Sequence, residues 1–178
     1  MAHLKHLTER ATLLDLFQAY PPMAQLSMAL AQEILRAPGE LSASEREVLF
    51  AFGSGVNACH FCVGAHSAVA ERMGVAPGVI EAALADIASA PVDARLKPLL
   101  HFVKKLTETP SRISDADADA VRAAGWSDRA LHEAISVCAL QNFFNRWVDG
   151  AGVDAGHEFF AGIADRLVKD GYQAPAPE

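Results

Sequence analysis

Apolar residues recur at three- and four-residue spacings along most of the chain, and strand-like alternation is hard to find anywhere. The pattern predicts an amphipathic helix from Leu7 to Phe17, broken by Pro21-Pro22. A second helix is expected from Met23 to Arg36, with apolar positions at Leu26, Leu30 and Ile34 and a stop at Pro38-Gly39. Ser42 with Glu45 forms a capping box. The helix it opens runs through Val48, Leu49 and Phe52 until Gly53, Gly55 and Asn57 interrupt. The next helix is expected from about Asn57, as N-cap, to Gly74, followed by one that Pro77 opens in its first turn. Further helices are predicted over Ile80 to Ile87, Ala94 to Leu106, Asp115 to Ala124 (closed by Gly125), Asp128 to about Trp147, and Asp154 to Lys169. Ser127 and Asp154 are the expected N-caps of the last two. Alanine supplies about a fifth of the residues and loses no side-chain entropy in a helix, so composition agrees with periodicity. The expectation is an all-α bundle of seven to nine helices in one domain, residues 1–171. A polar, proline-broken tail, 172–178, is expected to be disordered.

Composition narrows the function. A chain of 178 residues with 51% apolar and 21% charged residues is long enough for one real core and too apolar to be disordered. With 22 acidic against 15 basic side chains and a net charge of −7, it has no surplus for neutralising phosphates, which speaks against a nucleic-acid partner. The first residues carry no basic stretch followed by an apolar core, and no run approaches the ~20 apolar residues that a bilayer crossing needs. A cytoplasmic location with no membrane partner is therefore expected. Three cysteines make no secreted disulfide framework. Two of them stand as Cys59-x-x-Cys62, which in a reducing compartment points to redox work or metal.

That motif lies in Asn57-Ala-Cys-His-Phe-Cys-Val-Gly-Ala-His66. On a helix Cys59, Cys62 and His66 fall at i, i+3 and i+7 and share one face. At a helix start, free backbone N–H groups and the positive dipole end favour a thiolate. If the chain reverses near Val56-Asn57, positions equally far from the turn come side by side and Glu47 meets His66. A carboxylate there would orient the imidazole as a base for the thiols. Zinc is the competing use of the same residues, with Cys59, Cys62 and His66 joined by Glu47 or His60. Glu47 could also be a solvated helix carboxylate paired with Arg46. His60, between the cysteines, either tunes them or is merely solvated. Covalent haem is excluded because Val63, not His, follows the second cysteine, and no βαβ pattern supports a thioredoxin fold. Cys138 lies on an apolar stretch and reads as a buried, inert thiol, while His101, His132 and His157 have no spacing partners. Phe50, Phe52 and Phe61 read as core or as an apolar approach to the thiols.

Glu47, eleven intervening residues, then Cys59-x-x-Cys62-x-x-x-His66 resembles the catalytic pattern of the alkylhydroperoxidase D and carboxymuconolactone decarboxylase superfamily. The stretches Leu41 to Glu47, Gly125 to Ile135 and Asn145 to Val153 resemble its branch of uncharacterised peroxidase-related proteins. The resemblance implies an all-helical, homo-oligomeric protein, trimer or hexamer, that reduces organic hydroperoxides as a thiol peroxidase needing no metal or flavin. It further implies Cys62 as the attacking thiol, Cys59 as the partner that closes the disulfide, Glu47 and His66 as the proton relay, and an external dithiol or thioredoxin-like reductant. His60 is the candidate auxiliary group, because the best-known pattern has a histidine directly before the second cysteine, where this chain has Phe61. The alternatives are a decarboxylase-like enzyme with His66 as base, or a zinc-stabilised or redox-sensing helical assembly without turnover.

Overall fold

The structure, a computed structural model, describes residues 2–173. Nine α-helices account for its regular structure, apart from a single 3-10 turn, and no strand occurs among the described residues. They are α1 (Leu13–Ala19), α2 (Pro21–Arg36), α3 (Ala43–Val56), α4 (His60–Arg72), α5 (Val79–Ala85), α6 (Leu96–Glu108), α7 (Asp115–Ala123), α8 (Asp128–Ala151) and α9 (His157–Asp170). None of them is long and apolar enough to cross a membrane.

The helix starts follow their caps. Ser42 and Glu45 make the expected reciprocal capping box at α3, Ser114 and Asp117 make another at α7, and Ser127 accepts from Arg129 N at α8. Several boundaries differ from expectation: α2 already starts at Pro21, α5 starts at Val79 after Gly78 so that Pro77 lies outside its first turn, and α8 runs on to Ala151; three further differences bear on the site. The first helix starts at Leu13, because Thr12 and Asp15 form a capping box that the spacing of leucines alone does not reveal. The last starts at His157 after Gly156, not at Asp154, whose carboxylate turns to Ala155 N and His60 instead. The third difference is at the motif. Asn57 closes α3 as its C-cap, Ala58 takes a left-handed φ of 57°, and Cys59 is the N-cap of α4. The left-handed residue lets the chain reverse in three residues, at a steric cost for a residue with a Cβ.

The α3–α4 hairpin is the centre of the fold. Helix α9 packs along α4, while α8 and α6 pack along α3. Helix α3 accordingly has nine buried residues, from Arg46 to Ser54, and shows almost no polar face. Close packing depends on two bare backbones: a Cβ on Gly64 of α4 would lie 2.3 Å from the Phe160 ring of α9, and one on Gly53 of α3 would lie 2.6 Å from Gln141 Oε1 of α8. The α2–α3 connection is pinned by buried Arg46, which donates to the Ile34 and Ala37 carbonyls and pairs with Glu133 at 3.1 Å. Arg46 is therefore the partner of Glu133, not of Glu47.

The expected boundary at 172 moves. Gly171, at φ 69° and ψ −154°, takes a conformation open essentially to glycine alone, and the chain folds back so that Tyr172 is 5% exposed. Tyr172 N donates to Gln32 Oε1 at 2.7 Å. Tyr172 thus belongs to the domain, and 174–178 lie outside the described residues.

Gly64→Ala is expected to destabilise the fold by about 1–3 kcal/mol through overpacking against Phe160. Urea unfolding followed by circular dichroism checks this. A midpoint equal to that of the parent would mean that α4 and α9 are not in close contact.

Candidate active site

Glu47 lies in the middle of α3 and is completely buried. An ionised carboxylate there needs partners on every side, and the structure supplies three. His66 Nδ1 lies 2.6 Å from Oε2, Arg36 Nη1 lies 2.6 Å from Oε1, and the Tyr172 hydroxyl donates to Oε1 at 2.9 Å. Burial alone would raise the carboxyl's pKa, but the charges and hydrogen bonds of His66 and Arg36 outweigh it and hold Glu47 below its ordinary value. Tyr172 moves the other way: burial, and then the Glu47 charge, push its phenol well above the ordinary range, so it stays a donor.

These partners come from three distant parts of the chain. Arg36 is in the last turn of α2, where its guanidinium also donates to the Leu35 carbonyl and, from α9, to the Leu167 carbonyl. It lies over the Tyr172 ring, 4.8 Å from the centroid. The His66 ring stacks on Phe50, 3.5 Å between centroids, and lies nearly parallel to the Tyr172 ring, 6.1 Å away. Its Nδ1 faces Glu47, so Nε2 is the free ring nitrogen.

Both motif cysteines are free thiols. Cys59 is wholly buried. Cys62 is 3% exposed, and it lines, with His66, Phe50, Phe61, Phe144 and Tyr172, a mainly apolar cavity of about 70 Å³ that Arg166 also borders. Leu13, Leu14 and Phe17 of α1 line it as well. Its size suits a small apolar group or a few waters. The hydrogen bond with Cys59, followed by burial, pushes the Cys62 thiol well above its ordinary value, against a lowering contribution from a hydrogen bond with the Asn145 side chain. At Cys62 the neighbouring sulfur and burial thus act against the thiolate that a helix start favours.

The structure therefore brings Glu47, His66, Cys59 and Cys62 together. It leaves His60 outside. That ring is 72% exposed, bonds Asp154 at 3.0 Å and rests edge-on against Phe160. Among the described residues no three His, Cys, Asp or Glu side chains are grouped to hold a metal ion, so the zinc arrangement has no ligand set. His66 is committed to Glu47 and His60 faces away. Of the phenylalanines, Phe50 and Phe61 line the cavity and Phe52 is core. Cys138 is buried against Thr107, its thiol raised first by burial. Two residues of the site went unpredicted, Arg36 and Tyr172. A cation ending a helix before Pro38, and an aromatic after a helix-ending Gly171, are the local signals for them, but neither says which acid they meet.

Glu47→Gln is expected to cost about 3–5 kcal/mol, because it leaves Arg36 facing a neutral group in a buried setting. Tyr172→Phe, which loses one hydrogen bond to a charged acceptor, should cost about 1–3 kcal/mol. The carboxyl is depressed in the folded state, so its contribution is present above the unfolded value near 4.5 and is lost as pH falls through the folded value. Denaturation between pH 7 and pH 3 should therefore show a shallower acid loss for Glu47→Gln than for the parent. Equal slopes would mean that Glu47 is not ionised in the fold.

Comparisons with known proteins agree with this geometry. Residues 21–105, which hold α2 to α4 and hence Arg36, Glu47, Cys59, Cys62 and His66, match the carboxymuconolactone decarboxylase family. No curated protein matches the chain. Among solved structures, the chain is similar to an alkylhydroperoxidase AhpD core, an uncharacterized peroxidase-related protein from Ralstonia eutropha, with TM-score 0.76, 24% identity, and coverage of 82% of this chain and 76% of that one. It is also similar to an uncharacterized peroxidase-related protein from Silicibacter, with TM-score 0.73, 24% identity and coverage of 90% and 94%. An Agrobacterium tumefaciens protein of unknown function, described as a candidate antioxidant defence protein AhpD, gives TM-score 0.69 and 20% identity over 88% and 99%. The 21–105 segment is thus similar to the carboxymuconolactone decarboxylase family, and by its helices the chain has the AhpD-like fold of the peroxidase-related proteins.

Proposed function

We propose that the protein is a thiol peroxidase that reduces organic hydroperoxides through a Cys59–Cys62 dithiol–disulfide cycle. The observation that carries the reading is the cavity wall: Cys62 and His66 share it, Glu47 backs the imidazole from the core, and Cys59 lies buried behind Cys62. An apolar lining favours a peroxide with an organic body over hydrogen peroxide.

In this reading His66 Nε2 takes the Cys62 proton, directly or through a water in the cavity, while Glu47 holds the ring by Nδ1 and balances its charge. The need for a base follows from the thiol itself. Its proton is held by burial and by Cys59, so at neutral pH the thiolate is made at the moment of attack. The Cys62 sulfur attacks the terminal peroxide oxygen, the O–O bond breaks, and the leaving alkoxide takes the proton from His66 as the alcohol. Cys62 is left as a sulfenic acid. The Cys59 sulfur then attacks that sulfur, and hydroxide leaves with a proton as water. Overall one hydroperoxide and two thiols give one alcohol, one water and one disulfide, and an external dithiol returns the pair to its reduced form. Assembly into a homo-oligomer and a cytoplasmic dithiol partner belong to the same proposal. The charged and polar pair of His60 and Asp154 has no part in it.

Mixing reduced protein with cumene hydroperoxide in a stopped-flow instrument should give a stoichiometric burst and a loss of two hydrogens mapped to Cys59 and Cys62. Cys62→Ser should abolish the burst. Cys59→Ser should form the sulfenic acid, trapped by dimedone, without a disulfide. His66→Gln should slow the burst by roughly 10²-fold at pH 7 and less at high pH, where hydroxide replaces the base. Oxidation no faster than free cysteine would end the peroxidase reading and bring forward His66-based decarboxylase-like chemistry.

A further inference from the structure

His66 can act as a base only while Nε2 carries no proton, and a carboxylate 2.6 Å from Nδ1 by itself works against that. An ionised neighbour draws a second proton onto the ring. The two groups share their protons as a unit, and a buried Glu–His pair standing alone is neutral only when it holds two of them. Those two protons give either an imidazolium beside a carboxylate, or a carboxylic acid beside an imidazole protonated on Nε2. Both forms occupy the Nε2 lone pair, so a third group has to keep it free.

The Arg36 guanidinium is placed to do so. It lies 2.6 Å from Glu47 Oε1, and its side chain is 10% exposed. Its other contacts are neutral: the Leu35 and Leu167 carbonyls and the Tyr172 ring. One positive and one negative charge cancel, so the buried unit is neutral with a single proton shared between Glu47 and His66. Ionised Glu47 Oε2 can only accept, which puts that proton on Nδ1, while the Tyr172 hydroxyl gives its hydrogen to Oε1. The remaining groups around the ring add no negative charge. Cys62 of α4 keeps its proton, as does the Tyr172 phenol. Arg166 of α9 borders the cavity as a second cation, and Phe50 of α3, Phe144 of α8 and the three α1 side chains there are apolar. The Arg46–Glu133 pair shows, by contrast, what a structural ion pair looks like in this fold: the Glu133 carboxylate turns to the Glu40 and Leu41 backbone N–H groups. Glu47 turns its second oxygen to a histidine that lines the cavity.

We propose that Arg36 is a positioning residue of the relay: by taking up the Glu47 charge it holds His66 as the neutral Nδ1–H tautomer, with the Nε2 lone pair free to receive a proton. The catalytic meaning of this rests on the thiol peroxidase reading; the place of the proton does not. The same balance makes the protonated ring a ready acid. Once Nε2 has taken the Cys62 proton, the unit carries one net positive charge in a mainly apolar wall, and passing that proton to the leaving alkoxide restores neutrality. Arg36 touches neither thiol nor substrate in this scheme, and acts only through Glu47 on His66.

The test is long-range proton–nitrogen NMR of the reduced protein at pH 7, labelled with nitrogen-15 at histidine, with the His66 signals identified by their loss in His66→Gln. It reads whether Nε2 bears a proton and needs no peroxide. The parent is expected to show Nδ1 protonated and Nε2 bare, and Arg36→Lys, which keeps the charge, should show the same. Arg36→Met removes the charge, and Arg36→Gln removes it while keeping a donor for Glu47; in both, Nε2 should be protonated in most molecules. The cumene hydroperoxide burst at pH 7 should then fall by about tenfold in the two uncharged variants, since a lone pair free in about one molecule in ten leaves a tenth of the base. A purely structural role for Arg36 would lower the unfolding midpoint of every variant and leave Nε2 bare in each. Nε2 protonated in the parent, or bare in a folded uncharged variant, overturns the proposal, and the parent spectrum can do so even where a variant fails to fold. A parent that is inert to cumene hydroperoxide but shows the expected ring state refutes the peroxidase reading and leaves the action of Arg36 on His66 standing.

Discussion

One ionised carboxylate with no access to water sets the requirements for the rest of this structure. Glu47 is surrounded by protein on all sides, and a charge in that setting survives only if cations and donors are brought to it. Arg36 has to arrive from the end of α2, His66 from α4, and Tyr172 from beyond α9. Each requirement constrains a backbone feature. The α3–α4 reversal must be tight enough to put residue 66 opposite residue 47, so Ala58 accepts a left-handed conformation. The chain must double back after α9, so residue 171 is a glycine.

In the proposed peroxidase cycle, the same arrangement lets a thiol with a firmly held proton serve as the nucleophile. Cys62 is dry, and the neighbouring Cys59 sulfur keeps its proton in place. On that proposal the centre is protected from casual oxidation by the scarcity of thiolate, and would react when a substrate fills the cavity beside a base that is already oriented. The Phe50 ring stacked on His66, with the Tyr172 ring nearly parallel to it, holds that base in one plane. The buried Glu47 cluster beside the thiols is the chemical plan of the molecule.

Much of this plan was readable in the sequence wherever a rule connects near neighbours. The Ser42–Glu45 and Ser127 starts, the proline stops and the Cys59-x-x-Cys62-x-x-x-His66 face follow from spacing on one helix. Even the Glu47–His66 contact was legible, because a hairpin maps one sequence distance onto another. Errors arose where two local signals competed. Asn57 is a good N-cap and a good C-cap, and it closes α3; Asp154 is a good N-cap and instead pairs with His60. Tyr172 looked like the beginning of a polar tail because its partner is 125 residues away.

By itself the sequence determined the helical class, the number and rough limits of the helices, and the one face on which two thiols and an imidazole meet. These depend on periodicity and caps, which act within a turn or two of helix. Only the tertiary structure decided which cation pairs with Glu47 and which phenol donates to it, that His60 stays outside, and that Cys62 rather than Cys59 meets the cavity. Those are matters of desolvation and of hydrogen-bond completion among groups from distant helices, and burial is a property that no residue has until the chain has packed around it.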